Sequence, residues 1–185
     1  PPATTGTIPD FVVTEQGGIN GAASHNFSSN FSTGNSNAVD QNASLTTAFS
    51  FSLNHNGVDS GLQDHNGNHI FLFQSGDNVV GLVGNSSSPN PNGSNALQIT
   101  LDPTSGQATF SSSQDLQHSD PSKSGTGDQL SFNNNVLSIT RTDTITDADG
   151  DHASASNSLD ISGAFLINDP APSITPPATT GTIPD

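Results

Sequence analysis

Cysteine, tryptophan, tyrosine and methionine are absent from this chain of 185 residues. Without cysteine there is no disulfide to support a small core and no thiolate ligand for a zinc site. Only Lys123 and Arg141 are basic, against 17 acidic residues, and the formal net charge is -15. This charge argues against nucleic acid or an anionic membrane surface as a partner. The shortage of reactive side chains also predicts that the chain is not an enzyme.

Strongly apolar residues are scarce as well. Leu, Ile, Val and Phe together number 40, close to the roughly 20% below which charged chains tend to stay disordered. We therefore expect the stability of this thin core to depend on bound metal or on neighbouring modules. No apolar run approaches the roughly 18 residues that a membrane-spanning helix needs, so no membrane insertion is expected.

Acidic residues concentrate in Thr142–Asp151, TDTITDADGD. This stretch holds four carboxylates, those of Asp143, Asp147, Asp149 and Asp151. Carboxylates this close repel one another unless a cation lies among them, and Ca²⁺ takes six to eight oxygen ligands. The spacing is not that of an EF-hand, because Gly150 falls at position four, counted from Asp147, instead of position six. We predict a Ca²⁺ site in a loop between strands, with Asp147, Asp149 and Asp151 as ligands and Asp143 assisting; the alternative is a solvated acidic turn.

The first ten residues, PPATTGTIPD at Pro1–Asp10, recur letter for letter at Pro176–Asp185. Such a recurrence predicts a tandem array in which adjacent copies of the same repeat are partners. Prolines at the boundary, including Pro170 and Pro172, fix the backbone and favour a stiff linker. The predicted division is a linker over 1–10, a module over 11–169, and a linker with the start of the next repeat over 170–185.

Apolar residues alternate with polar ones in short stretches separated by turn signals. Ten stretches are predicted as strands: Phe11–Thr14, Ser44–Leu53, His69–Gln74, Val79–Val83, Ala96–Leu101, Gln107–Phe110, Gln129–Phe132, Val136–Ile145, Ala153–Ile161 and Phe165–Ile167. In the second of them, Leu45, Phe49, Phe51 and Leu53 share one face. About ten short strands with almost no helix predict an all-β fold, an antiparallel β-sandwich.

Six histidines raise the question of a zinc or catalytic site. The spacing of His65 and His69 would need a helix to align the two imidazoles, whereas Asn66-Gly67 between them is typical of a hairpin turn. The run His118–Asp120 contains the side-chain types of a hydrolase triad, but no nucleophile elbow accompanies it. Neither zinc binding nor catalysis is predicted from these residues.

Four stretches, taken in order, resemble a known family. They are Gly57–Leu62 (GVDSGL), Val79–Gly81 (VVG), Leu97–Phe110 with its closing G-x-A-T-F, and Thr146–Asp151 (TDADGD) followed by Asn168-Asp169-Pro170. They resemble the immunoglobulin-like extender repeats of giant bacterial RTX adhesins, which a type I system secretes. The resemblance implies an Ig-like sandwich that binds Ca²⁺ at the bacterial cell surface and holds distal adhesive domains outward for biofilm formation or host-cell attachment. Any host or biofilm ligand would then be bound through other domains.

Acids on both sides of the proline linker predict a second Ca²⁺ site at the junction between modules. Asp169 lies on one side and Asp185 on the other, with Asp10 and Glu15 in the same role at the start of this module. Asp169 also corresponds to the end-of-module acid of the extender repeats. The glycine-rich nonapeptide that names the RTX proteins is absent, which places this chain in the repeat array.

A ligand-binding module that grips glycan or another protein is the alternative function. Glycan binders usually stack sugar faces on exposed aromatic rings. This chain has no Trp or Tyr, and most of its ten Phe residues fall at inward strand positions. The structural spacer is therefore the preferred prediction.

Overall fold

The computed structural model is all β apart from two 3-10 helices, Phe27–Asn30 and Ser162–Ala164. It describes residues 2–15, 21–32, 43–120, 123 and 125–170. These residues contain fourteen strands: β1 (Ala3–Thr4), β2 (Phe11–Thr14), β3 (Ala22–Asn26), β4 (Phe31–Ser32), β5 (Ser44–Leu53), β6 (Val58–Gln63), β7 (His69–Ser75), β8 (Asn78–Val83), β9 (Asn95–Leu101), β10 (Gln107–Ser112), β11 (Gly125–Ser131), β12 (Leu137–Thr146), β13 (His152–Asp160) and β14 (Phe165–Asp169). Within the same ranges, neither helix has the length and apolar character needed to cross a membrane.

The strands form four sheets. A six-stranded sheet has the order β3-β10-β9-β8-β7-β6, two three-stranded sheets have the orders β11-β14-β2 and β13-β12-β5, and β1 pairs with β4. Strands of all these sheets contribute to one core, which includes Phe11, Phe31, Phe49, Phe110 and Phe165. This all-β arrangement of several sheets is consistent with a β-sandwich.

Each of the ten predicted strands has a counterpart, and β2 and β5 have the predicted bounds. The predicted number is too low, because β1, β3, β4 and β6 were not foreseen. Strand β1 also lies within the segment predicted as a linker, where Ala3 pairs with Ser32. The pairing is not antiparallel throughout: β14 runs parallel to β2, with Phe165 opposite Phe11. These two strands are separated by nearly the whole module, so no hairpin turn imposes an antiparallel direction on them.

The parallel pair β2–β14 sets where the chain enters and leaves the module. Asp10 immediately precedes β2, whereas Asp169 ends β14 at the other end of the pair. Glu15 lies at that second end, because its N–H donates to the Asn168 carbonyl oxygen at 3.1 Å. At about 3.3 Å per residue, Asp10 and Glu15 are about 16 Å apart along the strand. The start of β2 and the end of β14 are therefore at opposite ends of the same strand pair, and the residues before β2, which include β1 and Ile8, also pack against the module.

The β13-β12-β5 sheet carries the acidic turn away from the core. Phe49 and Phe51 are buried, whereas Leu45, nearer the turn on the same strand, is 43% exposed. Leu45 was predicted to share one face with Phe49 and Phe51, but it lies beyond the core. Hydroxyl pairs link β12 to β13 along this extension: Thr140–Ser158, Thr142–Ser156 and Thr144–Ser154, at 2.7, 2.8 and 2.7 Å.

Candidate metal centre

The turn from Asp147 to Asp151 joins β12 to β13 and is closed by its own hydrogen bonds. The Asp147 N–H donates to the Asp151 carbonyl at 3.0 Å, and the Gly150 N–H to the Asp147 carbonyl at 3.3 Å. The Asp151 N–H also donates to Asp147 Oδ1 at 3.0 Å. Gly150 has φ +97°, a conformation that residues with a Cβ rarely adopt. The sequence ADG thus permits a turn tight enough for the neighbouring aspartates to converge.

Asp147, Asp149 and Asp151 form the predicted carboxylate group. One oxygen from each lies within 4.8 Å of the other two. Oxygens bound to one Ca²⁺ at about 2.3–2.6 Å are at most about 5.2 Å apart, so the spacing fits a single ion. A side-chain hydrogen bond with Asp147, together with the backbone N–H of Asp151, holds the pKa of Asp149 below its usual value. Three carboxylates at this spacing can bind a metal ion, and they are the hard oxygen ligands that Ca²⁺ prefers.

Asp143, the predicted assisting ligand, lies apart from this group. It is 6% exposed, and its Oδ1 accepts from Arg141 Nε at 2.9 Å and from Thr47 Oγ1 at 2.7 Å. Residues two apart on a strand point to the same face, so Arg141 and Asp143 meet within the sheet. The Asp143 carboxylate therefore stabilises the pairing of β12 with β5 and is not part of the aspartate group in the turn.

Glu15 and Asp169, two of the predicted junction acids, line one open cleft of about 550 Å³. Glu15 is buried, with 3% of its surface exposed. Its Oε1 accepts from the Leu116 N–H at 2.8 Å, and its Oε2 lies 3.5 Å from His118 Nε2. Burial raises the pKa of Glu15, although the Leu116 hydrogen bond and the nearby His118 oppose the increase. The cleft thus combines a deeply buried carboxylate with a second acid at the end of β14.

The other two junction acids are not part of this cleft. Asp10 lies at the opposite end of β2, in a smaller cavity of about 290 Å³ that Asn134, Asp160 and Gly163 also line. Asp185 lies outside the described residues. The structure therefore brings Glu15 and Asp169 to the same end of the module and separates both from Asp10.

Comparison with known families identifies the chain. Residues 10–162 match the family model described as Domain of unknown function (DUF5801). The chain belongs to the DUF5801 family. No curated protein and no solved structure matched it. The DUF5801 match contains Glu15 and the whole acidic turn but ends before Asp169.

Within the DUF5801 region, sequence reasoning missed three ionisable residues of the Glu15 cleft. They are His65, Asp115 and His118, which line it together with Glu15 and Asp169. His65 follows β6, whereas Asp115 and His118 lie in the connection between β10 and β11. The sequence analysis considered His65 and His118 and predicted no role for them, and no pattern in the sequence links these three residues to Glu15. The fold alone brings residues from these distant segments together.

Proposed function

We propose that this chain is a Ca²⁺-stabilised structural extender repeat, an Ig-like sandwich in a tandem array of a secreted RTX adhesin. In this role it works outside the cell, at the bacterial surface, where it holds distal adhesive domains outward for biofilm formation or host attachment. The module contributes length and stiffness, and adjacent copies of the same repeat are its direct partners.

The observation that carries this proposal is that β2 begins and β14 ends at opposite ends of the same strand pair. The chain enters β2 after Asp10 and leaves β14 after Asp169, at opposite ends of a parallel strand pair. A module built in this way passes the chain forward to the next copy, whereas antiparallel terminal strands would return it to the side of entry. The recurrence of Pro1–Asp10 at Pro176–Asp185 supports the same head-to-tail order.

The Ca²⁺ component of the proposal depends on the acidic turn. Asp147, Asp149 and Asp151 lie at a spacing that suits one ion. A net charge of -15 makes the compact state repel itself, and bound cations reduce that repulsion. We assign a second Ca²⁺ to the junction, where Asp169 of one module would meet Asp185 at the start of the next.

The length of tandem arrays tests the spacer function. Chains of one, two and four modules would be compared by small-angle X-ray scattering in excess Ca²⁺. A compact domain of this size is about 40 Å across, so the maximum dimension should grow by about that much with each added module. An array whose modules fold back on one another, with a maximum dimension that grows far more slowly, would contradict the proposal.

A further inference from the structure

The Glu15 cleft contains a histidine nitrogen that has no hydrogen-bond partner among the residues that the structure describes. The side chain of His118 is 8% exposed, and its Nε2 is a buried polar atom that no described residue hydrogen-bonds. A buried donor or acceptor without a hydrogen bond destabilises the folded state, so such groups in a native fold need an explanation. The one recorded contact of Nε2 is an ion pair with the Glu15 carboxylate, whose Oε2 lies 3.5 Å from it.

The other ring nitrogen of His118 determines what Nε2 presents to the cleft. Nδ1 lies 2.7 Å from the carbonyl oxygen of Asp128. A carbonyl oxygen only accepts, so Nδ1 carries the proton, and in the neutral ring Nε2 is a bare lone pair. Donation from one ring nitrogen to a backbone carbonyl is the usual setting of a metal-binding histidine, whose other nitrogen is then the ligand.

The segment that carries His118 is held in place by Asp128. The Asp128 carboxylate accepts from Ser119 Oγ at 3.0 Å and from the Asp120 N–H at 2.7 Å. Together with the Nδ1 bond, these contacts fix both the position and the orientation of the imidazole.

The Glu15 carboxylate is also held in place by a hydrogen bond. The Leu116 N–H holds its Oε1 at 2.8 Å, which leaves Oε2 facing Nε2. Zinc binds imidazole nitrogen at about 2.0–2.1 Å and carboxylate oxygen at about 2.0–2.2 Å, so two such ligands on a tetrahedral ion are about 3.3–3.5 Å apart. The observed distance of 3.5 Å between Glu15 Oε2 and His118 Nε2 matches this ligand spacing. The two atoms do not form a hydrogen bond with each other.

We propose that Glu15 Oε2 and His118 Nε2 are the preformed half of a binding site for a divalent transition-metal ion of the zinc class. His65 and Asp115 line the same cleft and are the candidates for the remaining ligands. One of them would have to move toward Glu15 and His118, because among the described residues only the Asp147 group already has three ligand atoms within 4.8 Å of one another. An imidazole ligand favours zinc-class ions over Ca²⁺, which prefers oxygen alone. This site is separate from the aspartate turn and does not depend on the proposed spacer function. It assigns Glu15 to the cleft of its own module instead of to the intermodule Ca²⁺.

Zinc titration of the complete 185-residue chain tests the site. The chain, prepared without a histidine tag and stripped of metal, would be titrated with Zn²⁺ by calorimetry in excess Ca²⁺, so that sites made only of oxygen are already filled. We expect one Zn²⁺ per chain that Ca²⁺ does not displace. His118→Ala should weaken binding by about 100-fold or more, beyond the roughly 10–100-fold that loss of an outer-shell partner costs. Glu15→Gln, which still accepts from Leu116, should weaken it in the same direction.

Two matched variants and a spectroscopic measurement complete the design. His55→Ala removes an exposed imidazole outside the cleft and should bind Zn²⁺ like the parent. Asp149→Asn should also bind Zn²⁺ normally, which separates this site from the Ca²⁺ turn. In the parent chain, Zn²⁺ should perturb the ring-nitrogen NMR signals of His118. This measurement does not depend on whether the substituted chains fold. Equal affinities for the parent and His118→Ala, or perturbation confined to other histidines, would overturn the proposal.

Discussion

Arg141 and Asp143 form a buried ion pair on one face of β12, with Nε donating to Oδ1 at 2.9 Å. Arg141 Nη2 also lies 3.4 Å from Thr47 Oγ1, and Thr47 donates to the same aspartate oxygen at 2.7 Å. One of the two basic side chains of the chain is thus used inside the sheet that bears the acidic turn. The pair and its hydrogen bonds connect β12 to β5 at the point where the sheet leaves the core.

Arg141→Met should be strongly destabilising. The substitution leaves the Asp143 carboxylate buried without its cation, which typically costs about 3–5 kcal/mol. Replacing both partners, as Arg141→Met with Asp143→Leu, should recover most of this loss because no buried charge remains. Urea denaturation in a fixed excess of Ca²⁺ measures both effects.

The other basic residue provides the matched control. Lys123 Nζ lies 3.0 Å from Asp120 Oδ2, but the lysine side chain is 57% exposed. Exposed pairs contribute about 0–1 kcal/mol, so Lys123→Ala should change the free energy of unfolding by no more than that. If Lys123→Ala and Arg141→Met lower the free energy of unfolding by similar amounts, burial does not increase the contribution of the Arg141–Asp143 pair to stability.

Asp149→Asn should remove the stabilisation that Ca²⁺ provides through the acidic turn. A site whose dissociation constant lies a hundredfold below the free Ca²⁺ concentration adds about 2.7 kcal/mol to the free energy of unfolding. For a chain of this length, that corresponds to about 5–11 °C in melting temperature. Thermal melts with Ca²⁺ and with a chelator should therefore differ by less in Asp149→Asn than in the parent.

Asp77→Asn is the charge-matched control for this measurement. Asp77 is exposed in the β7–β8 hairpin, outside the aspartate group. Its replacement removes one negative charge but should leave the Ca²⁺-dependent shift unchanged. If parent melts in Ca²⁺ and in chelator superimpose, the aspartates form only a solvated turn.

The strands and the acidic turn could be predicted because their signals are local. In β5 and β9 apolar side chains alternate with polar ones, which directly indicates one buried face. Strand β6 escaped prediction because a buried polar residue interrupts its alternation: Ser60 lies between Val58 and Leu62. The Ser60 hydroxyl is satisfied by donation to the Ile70 carbonyl at 2.7 Å, a partner that no local pattern reveals.

The side-chain partners of Glu15 and Asp143 could not be predicted, because they come from contacts between distant segments or from the direction in which a strand faces. Glu15 and His118 are adjacent only because β2 and the segment after β10 meet at one end of the fold. Asp143 belonged by spacing to the acidic run, but its burial and its pairing with Arg141 depend on which face of β12 turns inward. Side-chain partners that decide between metal binding and structural pairing are therefore set by tertiary packing.

The β9–β10 turn should contribute stability that depends on pH. The Ser105 hydroxyl, then the N–H groups of Thr104 and Ser105, hold the pKa of Asp102 below its ordinary value of 3.8. Stabilisation from a carboxyl with a lowered folded-state pKa is present above the ordinary pKa and is lost as the pH falls through the folded value. The difference in free energy of unfolding between the parent and Asp102→Asn should be largest near neutral pH and shrink below about pH 4. Urea denaturation of both chains in chelator gives this difference, and a value constant down to pH 2.5 would contradict the assignment.

Removal of Ca²⁺ should loosen the junction between neighbouring modules. Asp169 ends β14 immediately before the proline linker, and an ion shared between Asp169 and the acid at the start of the next module would restrict hinge motion there. In a two-module chain, a chelator should therefore shorten the mean end-to-end distance and broaden its distribution in small-angle scattering. Asp169→Asn in the first module should produce the same change while Ca²⁺ is present, whereas Asp77→Asn should not. A distance that neither the chelator nor Asp169→Asn alters would mean that the prolines alone set the stiffness of the linker.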